Sequence, residues 1–407
     1  MLAIPVVAFL NTLSYSVMIN PHMFYCAGFL MAMLLFSLGW SEAYPKLSGS
    51  LTLFLLTTLV VHLGIGWRLR KIRQIKFYHT SPVISPVLIT ALLYLLWTAD
   101  FVYEGGIPVL KILLNQSYDY RLFGVPSLHV FTVTFSSFYI QYLFHTYLSQ
   151  RKRLLLFLYI LNSFAAILIY SRSMLFFNLA GSFFLYLFYA DKTAYRRLLI
   201  LLPVGVIILY FFGVAGNKRV AFESGKPYDT VSFLDIGRAT PGCHDSGIPN
   251  EFFWTYIYIS SPLANLQANI NSKTVPPITF LRVLECINNE YLFESLSKRI
   301  NAAAGIEREN EITIKHPFNV STVYSRSYSY LGWAGVIGMG LFVVLLPVLY
   351  NKMLSRDNPY VLTGQAILCT VYLFMFYDNT IRLMGLGFQL VYPLVFPLGD
   401  RLYNRWI

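Results

Sequence analysis

The chain is poor in charge. Only 12% of its 407 residues are Asp, Glu, Lys or Arg, while 56% are hydrophobic and 17% aromatic. A soluble globular protein carries about 25% charge and about 45–50% apolar residues. The shortage excludes a soluble enzyme, a disordered chain and a nucleic-acid-binding domain. Cysteine is scarce too: there are four, with no C-x-x-C pair and no His/Cys cluster at ligand spacing, so no metal site is marked. No P-loop, Ser-His-Asp order or paired Asp-x-Asp motif occurs, and there is no internal repeat or low-complexity tract. What remains is a series of long hydrophobic runs and a mean hydropathy of +0.56.

A membrane helix needs about 20 mostly apolar residues. Eleven stretches qualify, at roughly 3–19, 23–40, 50–67, 84–103, 126–147, 154–170, 174–190, 198–214, 327–349, 360–377 and 383–398. The expected fold is an all-α polytopic membrane protein. Its parts are residues 1–215 with about eight spans and an outer loop at 104–125, a long loop at 216–326, and 327–407 with three spans and a tail.

The basic residues orient these spans, because cytoplasmic connectors retain Lys and Arg. The connectors after the third, fifth, seventh and ninth spans, with the tail, hold 15 bases and three acids. Segment 216–326 holds 11 of each, and the other outer positions five of each. The whole net charge of +12 therefore sits on one side. It is a topology signal and not a polyanion-binding surface. Segment 216–326 is expected outside, with the C-terminus inside and the N-terminus outside. At about 110 residues this loop is far longer than a connector. Its first half is rich in Gly and Pro, and helical character is expected at 251–271 and 280–303. The aromatic run from Glu251 to Asn271 either lies at the membrane interface as a lid or packs the loop onto the bundle. Cys26 and Cys369 fall in spans, whereas Cys243 and Cys286 share the outer loop. An oxidising compartment would pair those two.

Ionisable residues near membrane depth are expensive and default to functional hypotheses. Here they gather at the outer ends of spans: Asp100, Glu104, Lys111, Asp119, Arg121 and His129 around the 104–125 loop, Arg172 in a tight turn, Arg326 at the ninth span, and Asp378 with Arg382 in the last outer turn. Arginine suits a pyrophosphate, since its planar fork donates bidentately and stays charged. A lone arginine at a span end is also an ordinary interfacial anchor. Arg121 stands among Gly106, Pro108, Gly124 and Pro126, which impose a shaped loop. His129, one turn inside its span, suits proton transfer. Glu104, beside a Gly-Gly turn, is the carboxylate expected to face a cavity. His316 and His244 lie in the long loop.

The EGGIPVL turn followed by YDYRLFGVPSLHV resembles the Wzy-type oligosaccharide repeat-unit (O-antigen) polymerases. The SRSM turn at Arg172, the WTYIYISSPLANL stretch and STVYSRSYSYLGWAG agree, so the resemblance covers roughly residues 84–345. It implies a GT-C-like fold in the bacterial inner membrane with its site facing the periplasm. It also implies transfer of a growing glycan from undecaprenyl pyrophosphate to the non-reducing end of a lipid-linked repeat unit, without cofactor or metal. By the same resemblance Arg121 and Arg172, with Tyr120, hold the donor pyrophosphate, Arg326 and Arg382 are weaker candidates, and His129 sits beside them. Whether His129 or Glu104 is the base stays open. The implied partners are the lipid-linked oligosaccharide, membrane lipids and a chain-length regulator, with no nucleic acid. The alternatives are an O-antigen ligase, with a lipid A-core acceptor, and a polysaccharide flippase. A transporter would place charge near the bilayer midplane and show repeat symmetry, and neither feature occurs here.

Overall fold

A computed structural model of the chain describes residues 19–72, 79–82, 84–114, 116, 123–190, 201–224, 230–314, 318–354 and 358–397. The expected first span, Asp119, Tyr120, Arg121 and His316 lie outside these residues, as do the connector bases Lys192, Arg196, Arg197 and Arg356 and the basic tail. Among the described residues every regular element is helical, and the one β contact is an isolated bridge between Ser41 and Ala239.

The elements run α1 Pro21–Ser37, α2 Gly49–Ile72, α3 Pro86–Tyr103, α4 Pro108–Leu113, α5 Leu128–Gln150, α6 Arg153–Leu168, α7 Arg172–Tyr189 and α8 Leu201–Ser224. In the long loop come α9 Thr230–Ile236, α10 Pro241–His244, α11 Phe252–Ser272, α12 Phe280–Cys286, a π-helical turn Ile287–Tyr291 and α13 Glu294–Ala304. The chain closes with α14 Ser325–Met353, α15 Val361–Leu373 and a 3-10 turn Gly387–Val391. Each expected span after the first thus holds a helix or helical turn, and so does each expected loop helix.

Among the described residues three helices are long and apolar enough to cross a membrane: Gly49–Leu69 within α2, α3 and α14. Several others are apolar but shorter, from Pro21–Ser37 to Gly387–Pro397. These elements describe a membrane-associated helical protein. α5 is long enough yet too polar, because its buried face carries Thr134, Gln141 and His145. Each bonds another helical element: Thr134 to the Tyr392 hydroxyl, Gln141 to Gln389 and His145 to Thr363. Such bonds within a bundle are worth on the order of 0.6 kcal/mol each, and they fix the partners of α5.

α15 is the hub. It packs against α1, α5 and α7 and is buried along its whole length. α3, α5, α6 and α7 pack on one another as one group, and α1, α2, α11 and α14 as a second, with Phe24 of α1 against Phe184 of α7 joining the two. α14 is really two helices. Gly332, at φ 59° and ψ −141°, reverses the chain within it, a conformation open to glycine and strained for other residues. Below the break, Trp333–Met353 is 21 residues, about 31 Å at 1.5 Å per residue.

α11 decides the question of the aromatic run. Phe253, Trp254, Tyr256 and Ile257 are buried, and the helix packs on α1, α8 and α14. These aromatics hold the loop onto the bundle, and only Thr255, Tyr258 and Ile259 turn toward a cavity. The expected Cys243–Cys286 disulfide is wrong: all four cysteines are free and buried. Cys243 packs into an apolar cluster with Phe233 and Phe253, while Cys286 faces inward from α12, which packs on α14. A shared compartment does not bring two thiols together when each has its own packing partners.

Candidate functional site

The site starts at the last turn of α3. Asp100 and Glu104 stand four residues apart there, so both carboxylates lie on one helical face. Each grips the backbone of the returning loop: Glu104 Oε1 accepts from the Gly124 amide at 2.9 Å, and Asp100 Oδ1 accepts from the Val125 amide at 2.9 Å. The other oxygen of Asp100 lies 2.8 Å from His129 Nδ1. Asp100 is wholly buried, whereas the imidazole keeps 21% of its surface.

The loop must fold tightly over that ring. Gly124 has φ 93°, and a Cβ there would stand 2.5 Å from the imidazole. Ser127, just before α5, is a non-glycine residue at φ 68°, a conformation that costs of order 1–3 kcal/mol and concentrates at functional sites. The edges of Trp97 and Phe123, at 6.0 and 5.2 Å between ring centres, frame the imidazole.

His129 opens onto a cavity of about 750 Å3. The same cavity is lined by the turn before α7, where Tyr170, another positive-φ residue, precedes Ser171 and Arg172. Ser171 caps the helix by accepting from the Met174 amide at 3.3 Å. Arg172 therefore sits at the positive end of an 18-residue helix, where an anion is favoured by the dipole and the free amides together. Among the described residues it has no carboxylate partner. Phe176, Ile208, Phe212 and Phe374 make the other walls apolar, with the rings of Tyr258 and Tyr377 among them.

The structure thus brings Arg172 and His129 to one cavity. Glu104 is not among its lining residues and spends one carboxylate oxygen on the Gly124 amide. Arg326 and Arg382 do not line it either. They belong to a separate buried network between α12, α14 and the turn after α15. There Arg326 pairs with Glu311 at 3.1 Å and Arg308 with Glu290 at 3.1 Å. Asn379 Nδ2 donates to both the backbone and the carboxylate of Glu290. Burial raises the pKa of Asp378 and of Glu311, with Arg326 opposing in both. Burial lowers that of Arg382, and the neighbouring Arg308 lowers it further. His244, at the end of α10, is exposed and away from both places.

Sequence reasoning placed Asp100 among the outer charges without a role. Its four-residue spacing from Glu104 was the available signal, but its partner became visible only with the loop folded. Tyr258 and Tyr377 were missed as cavity walls because each sits in a run of aromatics that mostly pack. Comparison of the chain with family models, curated proteins and solved structures returns no match.

Proposed function

We propose that the chain is a glycosyl transferase of the repeat-unit polymerase kind. In this reading it lies in the bacterial inner membrane with about eleven spans, a GT-C-like arrangement and the cavity opening to the periplasm. The observation that carries the proposal is one apolar-walled cavity lined by both a carboxylate-held imidazole and an arginine that has no carboxylate partner among the described residues.

The donor is a glycan on a polyprenyl pyrophosphate and the acceptor a sugar hydroxyl. Asp100 accepts the Nδ1 proton of His129, which leaves the Nε2 lone pair for the cavity. That nitrogen takes the hydroxyl proton as the acceptor oxygen bonds to the anomeric carbon. The bond from that carbon to the pyrophosphate oxygen breaks, and the leaving group gains charge. Arg172, at the helix terminus, meets that charge. Asp100 then stabilises the imidazolium. The apolar walls suit a lipid-borne substrate, and the Tyr258 and Tyr377 rings offer faces for sugars. Glu104 positions the loop, and the base is His129. Arg121 and Tyr120, two and three residues before the cavity-lining Phe123 in sequence, are the second donor-binding pair in this reading. Arg326 and Arg382 support the site without touching substrate.

The test is the lipopolysaccharide of a strain lacking the gene. A core-plus-one-unit band, restored to a full ladder by the wild-type chain and not by His129→Ala, is expected. Loss of all O-antigen in the deletion strain overturns polymerisation in favour of ligation or flipping.

A further inference from the structure

Outside the cavity, the most conspicuous unexplained feature is one face of the α12–π segment. Phe280 is 79% exposed, Leu281 60%, and Leu284 and Ile287 45% each. At positions i, i+1, i+4 and i+7 these four side chains lie on one helical face. Contiguous exposed apolar surface of this kind marks an interaction site.

The opposite face shows where the segment sits. Arg282 donates from Nε to the Tyr330 carbonyl at 3.2 Å and also reaches the Ser329 carbonyl and Glu309. This pins the start of α12 beside the Gly332 reversal at the top of the long arm of α14. At the far end, the Tyr291 ring lies 4.9 Å from Phe342, and its hydroxyl would stand 3.4 Å from a Cβ at Gly338. Phe342 is nine residues below Trp333, about 14 Å along the helix axis. The segment therefore runs down beside α14 and does not project away from it. α14 shows its own exposed stripe at Ile337, Leu341, Leu345 and Leu349, on a helix long and apolar enough to span a bilayer. The apolar face of α12 thus belongs to an element packed along the same stretch of α14 that carries this stripe. Arg282, Asn288, Asn289 and Glu290 are turned inward to partners, as a bilayer requires of an inserted element, while Glu285 is half-buried at the edge of the apolar face.

We propose that the α12–π segment is inserted in the leaflet at the N-terminal end of α14, with lipid acyl chains covering Phe280, Leu281, Leu284 and Ile287. The long loop is thereby a membrane-seated element and not a free domain. α13, which follows, returns to water: Lys298 is 72% exposed and pairs with Glu294 one turn away.

The assignment does not depend on the chemistry proposed for the cavity. Its test is depth measurement by site-directed spin labelling in phosphatidylethanolamine/phosphatidylglycerol vesicles. The four native cysteines are at most 5% exposed, so labels go to single introduced cysteines, Leu281→Cys, Leu284→Cys and Lys298→Cys. At 281 and 284, collision with dissolved oxygen should exceed collision with an aqueous nickel chelate several-fold, with the reverse at 298. Nickel-dominated relaxation at both 281 and 284 overturns the proposal. Spin–spin broadening there overturns it in favour of a second copy of the chain. Immobilisation with shielding from both reagents overturns it in favour of a covering polypeptide.

Discussion

Two regions of this molecule collect charge near the same end of the helices, and they use it in opposite ways. In the network of Glu290, Arg308, Glu311 and Arg326, both arginines have carboxylate partners. At the cavity, Arg172 has none among the described residues, while the buried Asp100 behind the wall is committed to the imidazole of His129. The first arrangement can hold helices together. The second lines a cavity with one cation and one imidazole that have no other charged partner among the described residues. A count of outer arginines treats the two alike, and pairing separates them.

The comparison breaks first, and with the largest effect, at Asp100. Asparagine there would donate to His129 Nδ1 and force the ring proton to Nε2, removing the base from the cavity. The transfer rate should fall by about 10²–10⁴, the usual contribution of a general base, and the pH–rate profile should lose its imidazole limb. An unchanged profile contradicts the role. The network should respond in stability instead. Arg308→Met leaves Glu290, 1% exposed, as an unpaired buried charge, at a cost on the order of 3 kcal/mol. Denaturation in detergent should show most of that loss recovered in the Glu290→Gln/Arg308→Met double variant. No recovery means the pair is not the source.

A smaller effect is expected at the loop over the imidazole. Gly124→Ala puts a methyl where the His129 ring lies and holds alanine at positive φ, at about 1–2 kcal/mol. Activity should drop more than thermal stability, and equal loss of both would make the loop merely structural. The smallest effect is on pH dependence. Asp378 and Glu311 have folded pKa values raised above ordinary values of 3.8 and 4.5. In that window the folded state binds more protons than the unfolded one, so their contribution to stability falls as pH rises from the ordinary value through the raised one. Asp378→Asn should flatten the melting temperature across mildly acidic pH, and an unaltered slope would remove Asp378 as a cause.

Hydropathy made the helices legible, since a run of apolar residues must be helical to satisfy its backbone in lipid. The helical character of the loop at 252–272 and 280–304 was legible too, since neither stretch holds a glycine, although the second is divided into α12, a π-helical turn and α13. The site was legible in part. Arg172 and His129 stood out because ionisable groups are rare here, yet the same rarity promoted Arg326 and Arg382, whose carboxylate neighbours come from distant segments. The aromatic run in α11 reads the same whether it packs or lines a cavity, because both faces are aromatic. The cysteine pairing failed because compartment constrains chemistry and not distance. The contact of Asp100 with His129 was hidden because it depends on a turn at Gly124 and Ser127 that sequence marks only as glycine- and proline-rich.

The central claim is that the His129–Arg172 cavity, and not the paired network, performs transfer. Its most direct test is glycan extension by purified protein in vesicles supplied with a lipid-linked repeat unit. Wild type and the Glu290→Gln/Arg308→Met double variant should both build a ladder of products. Arg172→Ala should extend about 10²–10³-fold more slowly, by analogy with loss of one oxyanion donor, with Arg172→Lys in between. Wild-type ladders from folded Arg172→Ala and His129→Ala would contradict the account.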